Sequence, residues 1–534
     1  MSSKASLLLL LHAHLPFVHH PASSGFLEEN WFFEAVAETY VPLTRVFERL
    51  AADHIRPGIT LSISPTLAAM LENRELKDKL HAYLESRLEL IRKEKRRMRG
   101  QRLPLKTLEM YRRMYLDAEA LLKSSGGSLI APLQSLQSAG QIEIITTSAT
   151  HAVLPLIVRK EAVRAQTAIA AMDYERRFGR RSAGFWLPEA AYEPGLNPYL
   201  RMAGFRYFFT EPHAISGQEA NAPAGVFSSY RTPNGLDFFM RDTQSSSEIL
   251  DKETGYTGNP AYREFYRDIG FDADLDYIRE YLGDTEARRY LGIKYYRITD
   301  RKIPLDRKEY YSPEAALAQA ERDAEDYIVR RIRQAEDIRN PSGDPIIINC
   351  YNAELFGHWW FEGPAFLEFV IRKIREERFP LRFVTPSEYL SSCPPPAELL
   401  PGVSSWGENG YFESWVNPRN DFIYAPLCAA TEKMCDTSNF FKSRRLDPLQ
   451  KRAMNQAGRE ILLAQSSDWA YLIHLDSHSS YAKKRFEDHV NAAVELLSQA
   501  IAKKVDERKL AALEQQDDIF PDMDFRLFAS PPLF

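Results

Sequence analysis

Seven short apolar runs punctuate the first 385 residues, and several of them end directly on a residue able to do chemistry. They cover residues 7–11, 58–64, 142–145, 184–187, 207–210, 346–351 and 383–385. A continuous run such as residues 7–11, ending abruptly in polar residues, is the pattern of a strand buried on both faces, and the others are short runs of similar character. Between the runs lie segments with helical spacing, among them residues 31–50, 161–178 and 313–338. Strand–helix alternation sustained over nearly 400 residues predicts parallel strands joined by helical crossovers, in an α/β barrel-like core.

Two stretches depart from this rhythm. In residues 72–124, Leu80, Leu84, Leu88 and Ile91 recur at helical spacing, and a break at 100–104 precedes a second helical segment. The reading is an inserted helical hairpin. Its basic run, residues 92–99, fits a solvated helix face better than a polyanion site. Beyond the Pro-rich stretch at 393–396, residues 446–506 read as long helices. The predicted division is therefore a barrel region over 1–395, interrupted at 72–124, and a helical C-terminal region over 396–534. The tail from residue 517 is rich in Pro and Phe and ends apolar, which fits docking on the body, with an unstructured tail as the alternative.

The formal net charge of −5 gives no electrostatic ground for binding nucleic acid or an anionic membrane. The apolar run near the N-terminus is too short for a membrane span. The four cysteines, Cys350, Cys393, Cys428 and Cys435, show no metal-binding spacing and fit a reducing cytoplasm. Aromatic content of 12%, with 26 Tyr and 7 Trp, fits large cores, and also a site that stacks on the CH faces of sugars.

In α/β barrels the reacting groups gather at the C-terminal ends of the strands. Here the first run leads into His12 and His14, the third through a Thr/Ser-rich stretch to His151, the fourth to Glu189, and the sixth to Asn352 and Glu354. Four such endings point to one shared site.

The segments that carry these residues resemble the family 57 glycoside hydrolases, and within them the α-1,4-glucan branching enzymes and amylase-like relatives. The resemblance rests on His12-Ala-His14-Leu-Pro-Phe, Ala149-Thr-His151, Trp186-Leu-Pro-Glu189-Ala-Ala-Tyr192 and Tyr351-Asn352-Ala-Glu354-Leu-Phe-Gly-His358-Trp-Trp360, with later matches at Ser405-Trp406-Gly-Glu408 and Gln465-Ser-Ser-Asp468-Trp469. They run in order from residue 7 to about 490. The resemblance implies a (β/α)7 barrel, distorted relative to the eight-stranded form, with a helical C-terminal domain. It also implies an α-glucan substrate (amylose, glycogen or a maltooligosaccharide) and a retaining mechanism without metal or cofactor. By the same carry-over Glu189 is the nucleophile and position 352 the general acid/base. His12, His14, His151 and Asp468 then bind sugar hydroxyls, and Trp186, Trp360, Trp406, Trp415 and Trp469 line the substrate path.

The acid/base position breaks the pattern: where the family carries Asp, this chain has Asn352. A carboxamide neither donates nor takes a proton near neutral pH, and losing a general acid–base group costs about 10²–10⁴-fold. Ala152 and Ala190 depart from the family pattern as well. Alternatives to a branching-type enzyme are thus a glucan-binding relative without turnover and an amylase-like hydrolase. A remote one is a metal-dependent deacetylase, with His12, His14 and His151 holding zinc. The segment 212–233, including Tyr230, is a candidate lid.

Overall fold

A computed structural model describes residues 5–21, 27–251, 253–283, 287–338 and 343–530. Strand β1 (Ala5–Ala13) is buried along its entire length, and the two sides of its leucine run face different cores. Leu7, Leu9 and Leu11 belong to the main hydrophobic cluster, which also contains the surrounding helices. Leu8 and Leu10 point into a second cluster with Ile145, Trp186, Tyr207, Phe209, Phe239, Ile346 and Ile348, drawn from five strands and, in Trp186, from the residue that follows a sixth. Because successive side chains alternate across a strand, an unbroken apolar run is what this double burial requires.

β1 is flanked in parallel by β2 (Ile59–Ile63) and β8 (Ile346–Asn352), and its first residues also pair with β9 (Leu381–Phe383). β3 (Ile142–Ile145) extends the sheet beyond β2. A second sheet has the parallel strands β4 (Gly184–Phe185), β5 (Tyr207–Thr210) and β7 (Asp237–Met240), with β6 (Tyr230–Arg231) antiparallel on its edge. The hydrogen-bonded ladder is interrupted at both seams between the sheets. One seam is spanned by the isolated bridge Thr146↔Phe185. The other is spanned by the Asp242 N–H donating to the Ile348 carbonyl at 2.7 Å. The architecture is the expected parallel α/β class, formed by two sheets rather than one continuous ladder.

The runs at 142–145 and 207–210 become strands residue for residue, whereas 184–187 shortens to two residues. β7 was not expected, because it offers only three consecutive apolar residues, Phe238–Phe239–Met240. The segment 31–50 forms two helices, Leu27–Ala35 and Val41–Ala52, joined by a π-helical turn at Val36–Tyr40. The candidate lid is not free-standing. Tyr230 is fully buried in a satellite core, so it offers no surface to a ligand, and Ala214 and Arg231 are bonded to residues 397–402.

The interruption is formed by helices Arg74–Arg97 and Arg102–Ser124. Between them, Gly100 is exposed at φ 89°, with open space where a side chain would stand. Lys93, Lys95 and Arg97 of the basic run are each tied to a carboxylate, of Glu280, Glu109 and Glu94, which accounts for much of its charge locally. The C-terminal region comprises helices Tyr424–Phe441, Pro448–Ala464, Ser467–His474, Ser479–Ala502 and Glu507–Gln516. The tail docks through buried Phe520, Phe525 and Phe528; residues 531–534 lie outside the described residues. Among the described residues no helix is long and apolar enough to cross a membrane.

Candidate active site

The reactive residues meet at the C-terminal ends of the strands. β1 pairs with β8 so that His12 lies opposite Asn352, and with β2 so that His12 lies opposite Ser62. The Thr146↔Phe185 bridge brings the chain after β3, which carries His151, beside the chain after β4, which carries Glu189. Helix Ser467–His474 closes the arrangement from the C-terminal region. Its Ser467 N–H donates to the His151 carbonyl at 3.2 Å, and Ala152 bridges to Ser466.

His151, Glu189 and Ala190 have φ of 57°, 59° and 49°. None is glycine, and residues held in this left-handed region cost about 1–3 kcal/mol each. For Glu189 the outcome is a side chain turned out of a two-residue strand into the site, retaining 19% exposure. The Trp406 N–H donates to its carbonyl at 2.7 Å.

The three imidazoles form a stack, with ring centroids 3.9 Å apart for His14–His151 and 4.8 Å for His12–His151. Each ring nitrogen is engaged by a protein group. His12 meets Ser62 Oγ (3.1 Å) and His151 Nε2 (2.8 Å). His14 meets Ser64 Oγ (2.9 Å) and Asp468 Oδ2 (3.0 Å). His151 Nδ1 meets Ser467 Oγ (2.8 Å), which also lies 3.1 Å from Glu189 Oε1. The histidines expected to bond sugar hydroxyls are thus committed to one another, to serines and to Asp468 in this structure. Nor do they converge on a zinc position. Among the described residues the one His/Cys/Asp/Glu group with ligand atoms within 4.8 Å of each other is Glu460, His489 and Asp517, in the C-terminal region.

Charge is distributed unevenly. Burial lowers the pKa of His12 and His151 well below the usual histidine value, helped by the neighbouring imidazoles, so both are neutral. Burial and the nearby Asp468 carboxylate push Glu189 up to about 7, against the hydrogen bond from Ser467 and the influence of His14. Burial also opposes ionisation of Asp468, but His14, His151 and the Ser466 hydroxyl hold it down to about 2. Two carboxyl groups are driven to opposite ends of the carboxylate range, a pattern of acid–base sites.

Asn352 is exposed at the end of β8. Glu354, two residues on, accepts hydrogen bonds from the Tyr40 hydroxyl and the His14 N–H, and burial raises its pKa. It is occupied as a structural tie.

The five tryptophans separate by burial. Trp186 lies under His12 at 5.4 Å and meets Trp406 edge-on at 4.9 Å; it is enclosed, while Trp406 is partly exposed. Trp360, Trp415 and Trp469 are each at most 2% exposed within the main core, so none presents a ring face for stacking. In the Trp359–Trp360 pair the outer ring is Trp359, 52% exposed and stacked on Phe265 at 4.3 Å. Ser467, which contacts both His151 and Glu189, was missed although it lies inside a quoted motif; nothing in the sequence distinguishes which of two adjacent serines faces Glu189.

Residues 8–400 match the model of glycosyl hydrolase family 57, and residues 427–528 that of the C-terminal region of 1,4-alpha-glucan branching enzyme. A 1,4-alpha-glucan branching enzyme of Thermococcus kodakarensis is 30% identical, over 97% of this chain and 77% of its own. The alpha-amylase AmyC of Thermotoga maritima superposes with a TM-score of 0.91 at 36% identity, covering 99% of this chain and all of its own. A family 57 branching enzyme of Pyrococcus horikoshii gives 0.87 at 28% identity, covering 99% and 98%. With its strand-end residues gathered in one site and the family match spanning most of its length, this chain belongs to glycosyl hydrolase family 57.

Proposed function

We propose that the protein is an α-1,4-glucan-acting retaining enzyme of the branching type, with Glu189 as nucleophile and the acid/base position filled by Asn352. The observation that carries this reading is the setting of Glu189. Its carboxyl emerges from a strand end in a left-handed backbone conformation, with one oxygen held by Ser467 and its surroundings lined by neutral imidazoles. In such a reaction the Glu189 carboxylate attacks the anomeric carbon as the glycosidic C–O bond breaks, and the departing oxygen takes a proton. The acceptor oxygen then attacks the anomeric carbon and releases the Glu189 carboxylate while the same acid/base group takes its proton; the acceptor is a sugar 6-hydroxyl in branching and water in hydrolysis. Asn352 supplies neither step. In this reading residues 1–395 form the catalytic region and residues 396–534 complete the glucan site with Asp468, while Trp406 offers the stacking surface.

Branching is favoured by the match of residues 427–528 and by the Thermococcus relative. The Thermotoga amylase, at 36% identity, supports hydrolysis as the second reading. Asn352 itself favours a third, a protein that binds glucan without turning it over.

Amylose turnover by this chain and its Asn352→Asp variant, followed through both reducing ends and α-1,6 branches, separates these readings. The expected gain is about 10²-fold or more, with branches accumulating faster than reducing ends. Glucan binding by both proteins without turnover by either would leave the binding-protein reading.

A further inference from the structure

Four hydrogen bonds run in series from Ser62 to Glu189: Ser62 Oγ to His12 Nδ1 (3.1 Å), His12 Nε2 to His151 Nε2 (2.8 Å), His151 Nδ1 to Ser467 Oγ (2.8 Å) and Ser467 Oγ to Glu189 Oε1 (3.1 Å). Heavy-atom positions do not say which partner donates, but the chemistry of the end group does. An ionised carboxylate only accepts, so the single hydroxyl hydrogen of Ser467 goes to Glu189. The Ser467 oxygen then accepts, which places the hydrogen of His151 on Nδ1. A neutral imidazole has one N–H, so His151 Nε2 is bare and His12 Nε2 carries the hydrogen. His12 Nδ1 is bare in turn and takes the hydrogen of Ser62. Every bond points towards Glu189.

We propose that Ser467 is a positioning residue for the nucleophile. It is the last donor of a one-way series that fixes His151 as the Nδ1–H tautomer and His12 as the Nε2–H tautomer, and that holds Glu189 by Oε1 so that Oε2 is the attacking atom. The proposal rests on the reading of Glu189 as nucleophile. The titratable groups facing Glu189 are His14 and His151 from the strand ends and Asp468 and Tyr471 from helix Ser467–His474. Of these, Asp468 opposes the charge on Glu189, so a dedicated donor is needed to keep the carboxylate in place. The series also gives the C-terminal region a direct part in the chemistry, through a residue that need not touch the sugar.

Two measurements test it. The full chain, labelled with 15N-histidine, is followed by long-range proton–nitrogen correlation at and above pH 8, where Glu189, raised to about 7, is ionised, with His12→Asn and His151→Asn variants to assign the signals. The expected spectrum has His151 as Nδ1–H and His12 as Nε2–H, neither titrating. His151 found as the Nε2–H tautomer, or either ring protonated in this range, overturns the series. In the Asn352→Asp background, Ser467→Ala is expected to lower kcat on amylose by about 10- to 100-fold and to move the acid limb of the pH profile upward, whereas Ser467→Thr keeps that limb in place. An unmoved limb in Ser467→Ala removes Ser467 from the role. Should the Asn352→Asp protein itself be inactive on amylose, the enzymatic reading fails, and the tautomers alone decide the series.

Discussion

Glu189 is held in two unfavourable conditions at once, a left-handed backbone and a carboxyl whose pKa is raised from 4.5 to about 7. A raised carboxyl favours the protonated chain. Its contribution to stability is therefore complete below about pH 4.5, the unfolded value, and is lost as pH rises through about 7. The ionised form then destabilises the fold by on the order of 3 kcal/mol. Glu189→Gln cannot ionise, so thermal melts at pH 8 are expected to place the variant above the parent, with the gap closing by pH 4. A higher Tm at pH 4 as well would assign the gain to something other than charge. The nucleophile acts as the carboxylate, so kcat/KM of the Asn352→Asp variant should fall as pH drops below about 7, reporting the same group. Stability and reactivity are opposed at this residue, as is common where strain serves a function.

At the scale of elements, the short strand β4 is followed within four residues by the most demanding residue, Glu189. The strand has two residues, and its Gly184 lies against the Tyr207 ring, which stands 2.3 Å from where a Cβ would be. The Tyr207 hydroxyl donates to Glu143 at 2.7 Å, fixing β5 against β3. Gly184→Ala would drive that ring from its place, and such overpacking typically costs about 1–3 kcal/mol. A lowered Tm together with loss of activity in the Asn352→Asp background is the expected outcome, because the displacement is passed along the chain to Glu189; full activity in a merely less stable protein would separate the strand from the site. Most elements of this size were legible. β1, β3, β5 and β8 declare themselves through short, largely apolar runs, and the helical interruption through its leucine spacing. β7 was not, since three apolar residues carry too little signal, and the sheet seams were not, since they depend on single long-range contacts. At the site, the residues that the structure brings together, Glu189, His12, His14, His151 and Asp468, are ones that a motif or a strand end had singled out. Which tryptophans face outward was not, because burial of one ring in an adjacent pair is settled by packing from distant segments.

In the whole molecule, the main core runs without a break from the helices around β1 to the C-terminal helices, including Trp415 and Trp469. The site repeats this on a smaller scale, with Ser467 and Asp468 placed against residues more than 270 positions earlier. Regions sharing one core unfold together, so calorimetry is expected to show a single transition; two well-separated transitions would mean that the regions behave as independent domains. The turn at Gly100 stands apart from this unity. It lies in open solvent, while the helices on either side are fastened by Lys95–Glu109 and by shared burial of Leu84, Leu108 and Tyr115. Covalent continuity therefore matters less at this turn than the packing beside it. It is the natural place to nick the polypeptide, to graft a foreign segment, or to divide the protein into two complementing fragments that reassemble around the same site.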